Sequence, residues 1–292
     1  MAIDERDPHT GHKTTGHEWN GIKELNTPVP KAVWFFLILT ALFSLGYWIL
    51  MPAWPTGRSY TPGLLGRSDS QRVRDQREAS TLARADWYKR LEAMNYAQLL
   101  ADPAAMTRVR SEGARLFGDN CAACHGRDGR GGLGFPSFAD RDWLWGGSPE
   151  AVAETIRVGI NSTHPNTRVS EMIGFGAGGI LTSAQVANAA DYVLSQSDPA
   201  VAKARPNSVL AGRAVFEANC VPCHGADARG NQSLGAPNLT DHAWINGGDW
   251  THVYTTISGG RKGEMPSWEG RLSPAERNLL TLYVLDLSRG AQ

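Results

Sequence analysis

The chain of 292 residues holds four cysteines, and they stand in two identical settings. Cys121 and Cys124 are followed by His125, and Cys220 and Cys223 by His224. On a helical turn, residues i, i+3 and i+4 share one face. Two thiols so placed can each add to a vinyl group of one haem, with the adjacent imidazole beneath the iron. Other chemistry fits this spacing less well. A zinc site takes four ligands, and the two pairs lie 99 residues apart. A thioredoxin-like pair needs a βαβ setting, and strand patterns are scarce here. A disulfide between residues three apart closes almost no loop. The expectation is two covalently bound haem c groups held by Cys121, Cys124, Cys220 and Cys223, with His125 and His224 as iron ligands.

Haem iron has a second axial position, and methionine there raises the reduction potential. Of six methionines, only Met172 and Met265 follow the cysteine motifs, one after each. Each precedes the last helical stretch of its repeat. Met172 is therefore expected opposite His125, with His164 as competitor. Met265 is expected opposite His224, with His242 and His252 as competitors. Iron filled on both sides binds small substrates poorly, so the chemistry is one-electron transfer without bond making. Phe117, Trp143, Phe216, Trp244 and Tyr283 are expected to shield the two groups from water.

These residues sit in an internal repeat. Gly113, Phe117, Asn120, Asp128 and Gly131 recur with the motif 99 residues later. Pro136, Asp140, Trp143, Gly147, Ile156 and Gly159 recur at an offset of 101, and Leu181 and Tyr192 at 91. One fold is used twice, with a longer loop in the first copy. Val109, Gly113, Leu116 and Phe117 have helical spacing ahead of the cysteines. The closing helices start at Thr182-Ser183-Ala184-Gln185 and Ser273-Pro274-Ala275-Glu276, both capping boxes. The expected fold is mainly α, with domains at 107–198 and 205–292.

From 32 to 51 the chain reads AVWFFLILTALFSLGYWILM, without a charge. Roughly 20 such residues cross a bilayer as a helix, and Trp34, Tyr47, Trp48 and Trp54 lie where aromatic belts sit. The long, mixed-charge segment before it speaks against a cleaved leader, so residues 1–31 precede an uncleaved single span. Lys13, Lys23 and Lys31 before it against Arg58 and Arg67 after it lean towards an inside N-terminus. Residues 52–106 read as a linker. Its stretch 71–100 lacks Gly and Pro, and Leu82, Trp87, Leu91, Met94 and Leu99 form a stripe awaiting a partner.

Lys+Arg and Asp+Glu each number 29. That balance excludes a strongly basic nucleic-acid binder. It is uneven along the chain, since residues 111–198 carry six basic and ten acidic groups. Such a field can steer a basic donor protein.

Both repeats resemble class I cytochrome c domains. The segment Trp19-Asn20-Gly21-Ile22-Lys23-Glu24-Leu25-Asn26-Thr27-Pro28-Val29-Pro30, with Pro52-Ala53-Trp54-Pro55 after the span, resembles the dihaem subunit of cbb3-type cytochrome c oxidases. Asn20, Thr27 and Val29 are mild departures from that pattern. The resemblance implies a single-pass protein of the bacterial inner membrane, with a cytoplasmic N-terminus and periplasmic haem domains. It implies electron relay from a donor cytochrome c or quinol-cytochrome c reductase. The partners it implies are a monohaem cytochrome c subunit and a catalytic haem-copper subunit. That subunit, and not this chain, reduces oxygen and pumps protons. Two other readings fit the residues: a standalone dihaem carrier serving a periplasmic dehydrogenase, and a dihaem enzyme with one open haem.

Overall fold

The computed structural model describes residues 5–66 and 68–290. It divides into two compact units, with the boundary after Ala83.

In the first unit, strands β1 (Thr14–Trp19) and β2 (Ile22–Leu25) form an antiparallel hairpin. Its two-residue loop, Asn20-Gly21, has φ of 51° and 85°. Positive φ at both positions is the type I′ turn that matches strand twist. The Asn-Gly pair is the sequence signal for these strands. Helix α1 (Lys31–Leu50) follows, and none of its side chains is buried. Twenty residues at 1.5 Å each give about 30 Å, the thickness of a bilayer core. It is long and apolar enough to cross a membrane.

Helix α2 (Asp69–Ala93) runs through the unit boundary. The second unit continues with α3 (Tyr96–Leu100), α4 (Pro103–Asn120), α5 (Ala122–His125), α6 (Pro149–Val158), α7 (Ser183–Ser195) and α8 (Pro199–Ala204). Then come α9 (Pro206–Asn219), α10 (Val221–His224), α11 (Trp250–Gly259) and α12 (Pro274–Gly290). Helix starts obey local chemistry. The Asp102 carboxylate accepts from the amides of Ala104 and Ala105 with Pro103 in the first turn. Both predicted capping boxes form: Thr182 with Gln185, and Ser273 with Glu276.

The helices do not pack repeat by repeat. They make two lobes that exchange their closing helices. In lobe A, α4 and α6 of the first repeat pack against α12 of the second, around Val109, Phe117, Ile156, Leu279 and Leu282. In lobe B, α9 and α11 of the second repeat pack against α7 of the first, around Val186, Ala190, Phe216 and Ile257. The Phe117 ring lies 5.5 Å from that of Tyr283, and the Phe216 ring 5.2 Å from that of Tyr192. Connection length explains the exchange. Only ten residues, 196–205, separate α7 from α9, and consecutive elements joined by short links usually pack together. Asp191 of α7 fixes that corner. Its buried carboxylate accepts from Arg205, Ser208 and the Trp250 indole at 2.6–2.9 Å. With α7 committed to lobe B, α12 closes lobe A.

Lobe A also takes in the end of the linker. Trp87, Leu91 and Leu99 are buried in its core. Asn278 of α12 donates to the Leu91 carbonyl at 3.0 Å and accepts from the Tyr96 hydroxyl at 2.7 Å. The stripe predicted to await a partner finds one inside the chain, except Leu82, which stays exposed.

Candidate haem sites

Each motif is placed by the end of a long helix. Cys121 caps α4, and α5 carries Cys124 and His125. Cys220 caps α9, and α10 carries Cys223 and His224. In both lobes the first cysteine is half-buried and the second exposed. Burial, and then the neighbouring thiol, push Cys121 and Cys220 each up to about 11. Such thiols stay protonated at neutral pH.

The imidazoles are oriented identically. His125 Nδ1 donates to the Pro136 carbonyl at 3.1 Å, and His224 Nδ1 to the Pro237 carbonyl at 3.0 Å. A carbonyl only accepts, so the proton sits on Nδ1 and Nε2 keeps its lone pair. Burial pushes both imidazoles below the usual histidine range, which holds them neutral as metal ligands must be. The loop is set by Gly131 and Gly230, whose amides donate to the carbonyls of His125 and His224 at 2.8 Å. The two prolines supply the orienting carbonyls. Their role was missed from sequence, although both recur in the repeat.

The methionines lie across the exchange. Met265 packs against the lobe A core together with Cys121, Phe138 and Trp143. Met172 packs against the lobe B core together with Cys220, Val221 and Trp244. The expectation set each methionine opposite the histidine of its own repeat; the structure places each in the lobe of the other repeat's histidine. Two short backbone pairings do this. Ile160 and Met265 exchange amide-to-carbonyl bonds at 2.9 Å, and Met172 and Arg261 do so at 2.8 Å. The glycines just before Ile160 and Arg261 permit the approach. Gly159 and Gly260 have φ of 72° and 75°, and a Cβ on either would overlap the carbonyl oxygen of Met265 or Met172.

The competitor histidines are engaged elsewhere or exposed. His164 Nδ1 accepts from the Asn166 amide at 3.0 Å, and its Nε2 donates to Glu269 at 2.6 Å. His252 pairs with Asp249. His242 is exposed beside α8. Aromatic rings gather at lobe A: Phe138 lies 4.5 Å from the His125 ring and stacks on Trp143 at 6.2 Å. Tyr283 and Phe117 complete the set from α12 and α4. Among the described residues, no three His, Cys, Asp or Glu side chains converge on a metal position. A haem, which brings four nitrogens to its iron, needs only the axial pair from the protein.

Comparison with known proteins agrees with this chemistry along the whole chain. A family model for the N-terminal domain of cytochrome oxidase-cbb3, FixP, matches residues 11–58. A cytochrome c model matches 111–197, and one for cytochrome c oxidase, cbb3-type, subunit III matches 207–284. The cbb3-type cytochrome c oxidase subunit FixP of Bradyrhizobium sp. (strain ORS 278) is 43% identical over 286 residues, 98% of either chain. The subunit CcoP of Cereibacter sphaeroides is 39% identical over 95% of each. CcoP of Azospirillum brasilense is 37% identical over 99% of this chain and 100% of its own. The chain belongs to the FixP/CcoP family of cbb3-type cytochrome c oxidase subunits.

Proposed function

We propose that this electron-transfer subunit relays electrons through two haem c groups ligated crosswise, His125 with Met265 in lobe A and His224 with Met172 in lobe B. The observation that carries this reading is the pair of imidazoles, each aimed by a proline carbonyl, with a methionine packed into the same lobe. Bound haem supplies a one-electron iron couple. The chain supplies the rest. Cys121, Cys124, Cys220 and Cys223 would hold the groups as thioethers. The proline carbonyls fix the imidazole tautomer and tilt. Phe117, Phe138, Trp143 and Tyr283 exclude water in lobe A. Tyr192, Phe216 and Trp244 do the same in lobe B. Low dielectric and small reorganisation suit electron transfer without bond making.

Helix α1 anchors the protein in the inner membrane, with the N-terminus cytoplasmic and both lobes periplasmic. The donor is a cytochrome c or quinol-cytochrome c reductase. The acceptors are the monohaem subunit and then the catalytic haem-copper subunit of the oxidase. Mild-detergent purification from membranes tests this. Two covalent haems per chain, both showing the weak far-red band of methionine-ligated ferric iron, and co-purification with those two subunits are expected. A haem that lacks the band and binds cyanide rapidly would overturn the relay for its lobe. A chain that purifies alone would favour a standalone carrier.

A further inference from the structure

The end of α1 is closed by a segment that returns to it from fifteen residues further along the chain. The Leu64 amide donates to the Ile49 carbonyl at 3.0 Å, and the Leu65 amide to the Leu50 carbonyl at 3.1 Å. The Met51 amide donates to the Tyr47 carbonyl at 2.8 Å. Three of the four final carbonyls of α1 thus have backbone partners. A helix end in water can leave such groups to the solvent. Closing them with the chain's own amides suits an end where water is scarce. Gly63 makes the approach possible, since it is buried and a Cβ on it would overlap the Leu50 carbonyl.

The loop in between is ordered by its own bonds. Pro55 and Tyr60 pair as an antiparallel bridge. The Thr61 amide donates to the Trp54 carbonyl at 2.8 Å, and the Trp54 amide to the Thr61 hydroxyl at 3.1 Å. The Trp54 ring lies 4.9 Å from that of Trp48 on α1. What this folding turns outwards is apolar. Trp54, Tyr60, Leu64 and Leu65 are each more than half exposed, Leu64 at 79%. Arg58 carries the only charge between residues 52 and 66. The four side chains continue the apolar surface of α1, none of whose side chains is buried. That continuity names the occupant: the lipid around the end of the span also covers the loop. Tryptophan and tyrosine favour the membrane–water interface, and leucines beside them reach the acyl boundary, as the apolar face of an interfacial segment does.

We infer that residues 52–65 form a second membrane contact, an interfacial loop whose Trp54, Tyr60, Leu64 and Leu65 lie in lipid at the exit of α1. This rests on the proposed anchorage of α1 in the membrane. A lone apolar helix can slide and turn in a bilayer. A loop bonded to its last turn and seated among headgroups fixes its depth. Helix α2 begins at Asp69, four residues after Leu65, so it starts at the membrane surface.

Nitroxide labelling tests this in the oxidase purified with this chain and reconstituted in nanodiscs of phosphatidylethanolamine and phosphatidylglycerol. The loop variants are Tyr60→Cys, Leu64→Cys and Leu65→Cys. Leu42→Cys in the span and Glu78→Cys on the exposed part of α2 are the references, and the wild-type oxidase supplies the background of other thiols. Power saturation compares access by oxygen, which concentrates in lipid, with access by a water-soluble nickel chelate. The loop sites should side with Leu42→Cys, with an oxygen-to-nickel ratio several-fold above that of Glu78→Cys. Tyr60→Cys serves where a leucine variant does not assemble. Gly63→Ala added to Tyr60→Cys should lower the ratio, because it breaks the return to α1 without removing an apolar side chain. Ratios equal to that of Glu78→Cys would place the loop in water and overturn the inference. Poor access by both reagents would mark a protein partner on the loop and overturn it too. A water-like ratio at Leu42→Cys would instead defeat the anchor reading itself.

Discussion

A Cβ placed on Gly113 would stand 2.8 Å from the Cβ of Tyr283, so the first helix of the first repeat is shaved to receive the last helix of the second. Gly212 and Tyr192 repeat the relationship in the other lobe, again at 2.8 Å. In each pair the glycine comes from one copy and the tyrosine from the other.

Alanine at these glycines therefore tests the crossing directly. Gly113→Ala meets the Cβ and Cγ of Tyr283, and overpacking of that kind costs about 1–3 kcal/mol. Gly212→Ala meets the Tyr192 Cβ in the same way and, closer still, the backbone oxygen of Asn188. It should be the more destabilising of the two in denaturant unfolding of the full chain.

The proposed ligand crossing predicts which haem responds to which methionine. With Cys121 and Cys124 changed to alanine, only the haem on Cys220 and Cys223 remains. Met172→His should then lower its potential, because methionine ligation raises it. Met265→His should leave it in place. Redox titration of the two variants decides, and the reverse pattern would restore ligation within each repeat.

Removal of residues 274–292 deletes α12 from the second repeat, yet α12 closes lobe A. The truncated chain should retain the haem of lobe B with its far-red band and lose or expose the haem of lobe A. Covalent-haem staining of tryptic fragments and cyanide binding distinguish the two sites.

Asp191 holds α7 to α9 and α11 through three donors. Asp191→Ala removes the buried acceptor shared by Arg205, Ser208 and the half-buried Trp250 indole and should destabilise lobe B by roughly 1.5–3 kcal/mol, the scale of a hydrogen bond to a charged group. Thermal unfolding read at the haem bands should show the lobe B transition moving down before that of lobe A.

Much of this was legible in the sequence because it is local. The C-x-x-C-H turns, both capping boxes and the apolar span depend on residues within a few positions of one another. The repeat itself was legible from matching Gly, Phe and Trp positions. What the repeat could not reveal is partnership. Gly113 and Gly212 have the same surroundings in sequence, and so do Tyr192 and Tyr283, so nothing in their types says which meets which. The answer lies in the length of the 196–205 connector and in Asp191, a residue that reads as an ordinary polar helix position. Trp87 and Leu91 gave the same lesson at smaller scale: the stripe was visible, but its partner, α12, lay nearly 200 residues away. The Asn20-Gly21 pair is a local hairpin signal too, though a weak one, because its strands are short and their side chains mostly exposed.

The exchanged helices also set an order of manufacture. Lobe B is built from a nearly continuous stretch between Met172 and Arg261, so all its parts are present once that stretch has been synthesised. Lobe A waits for the final helix, so the first pair of thiols to be synthesised is the last to be enclosed. A nascent chain carries its own delay, written into which helix comes last.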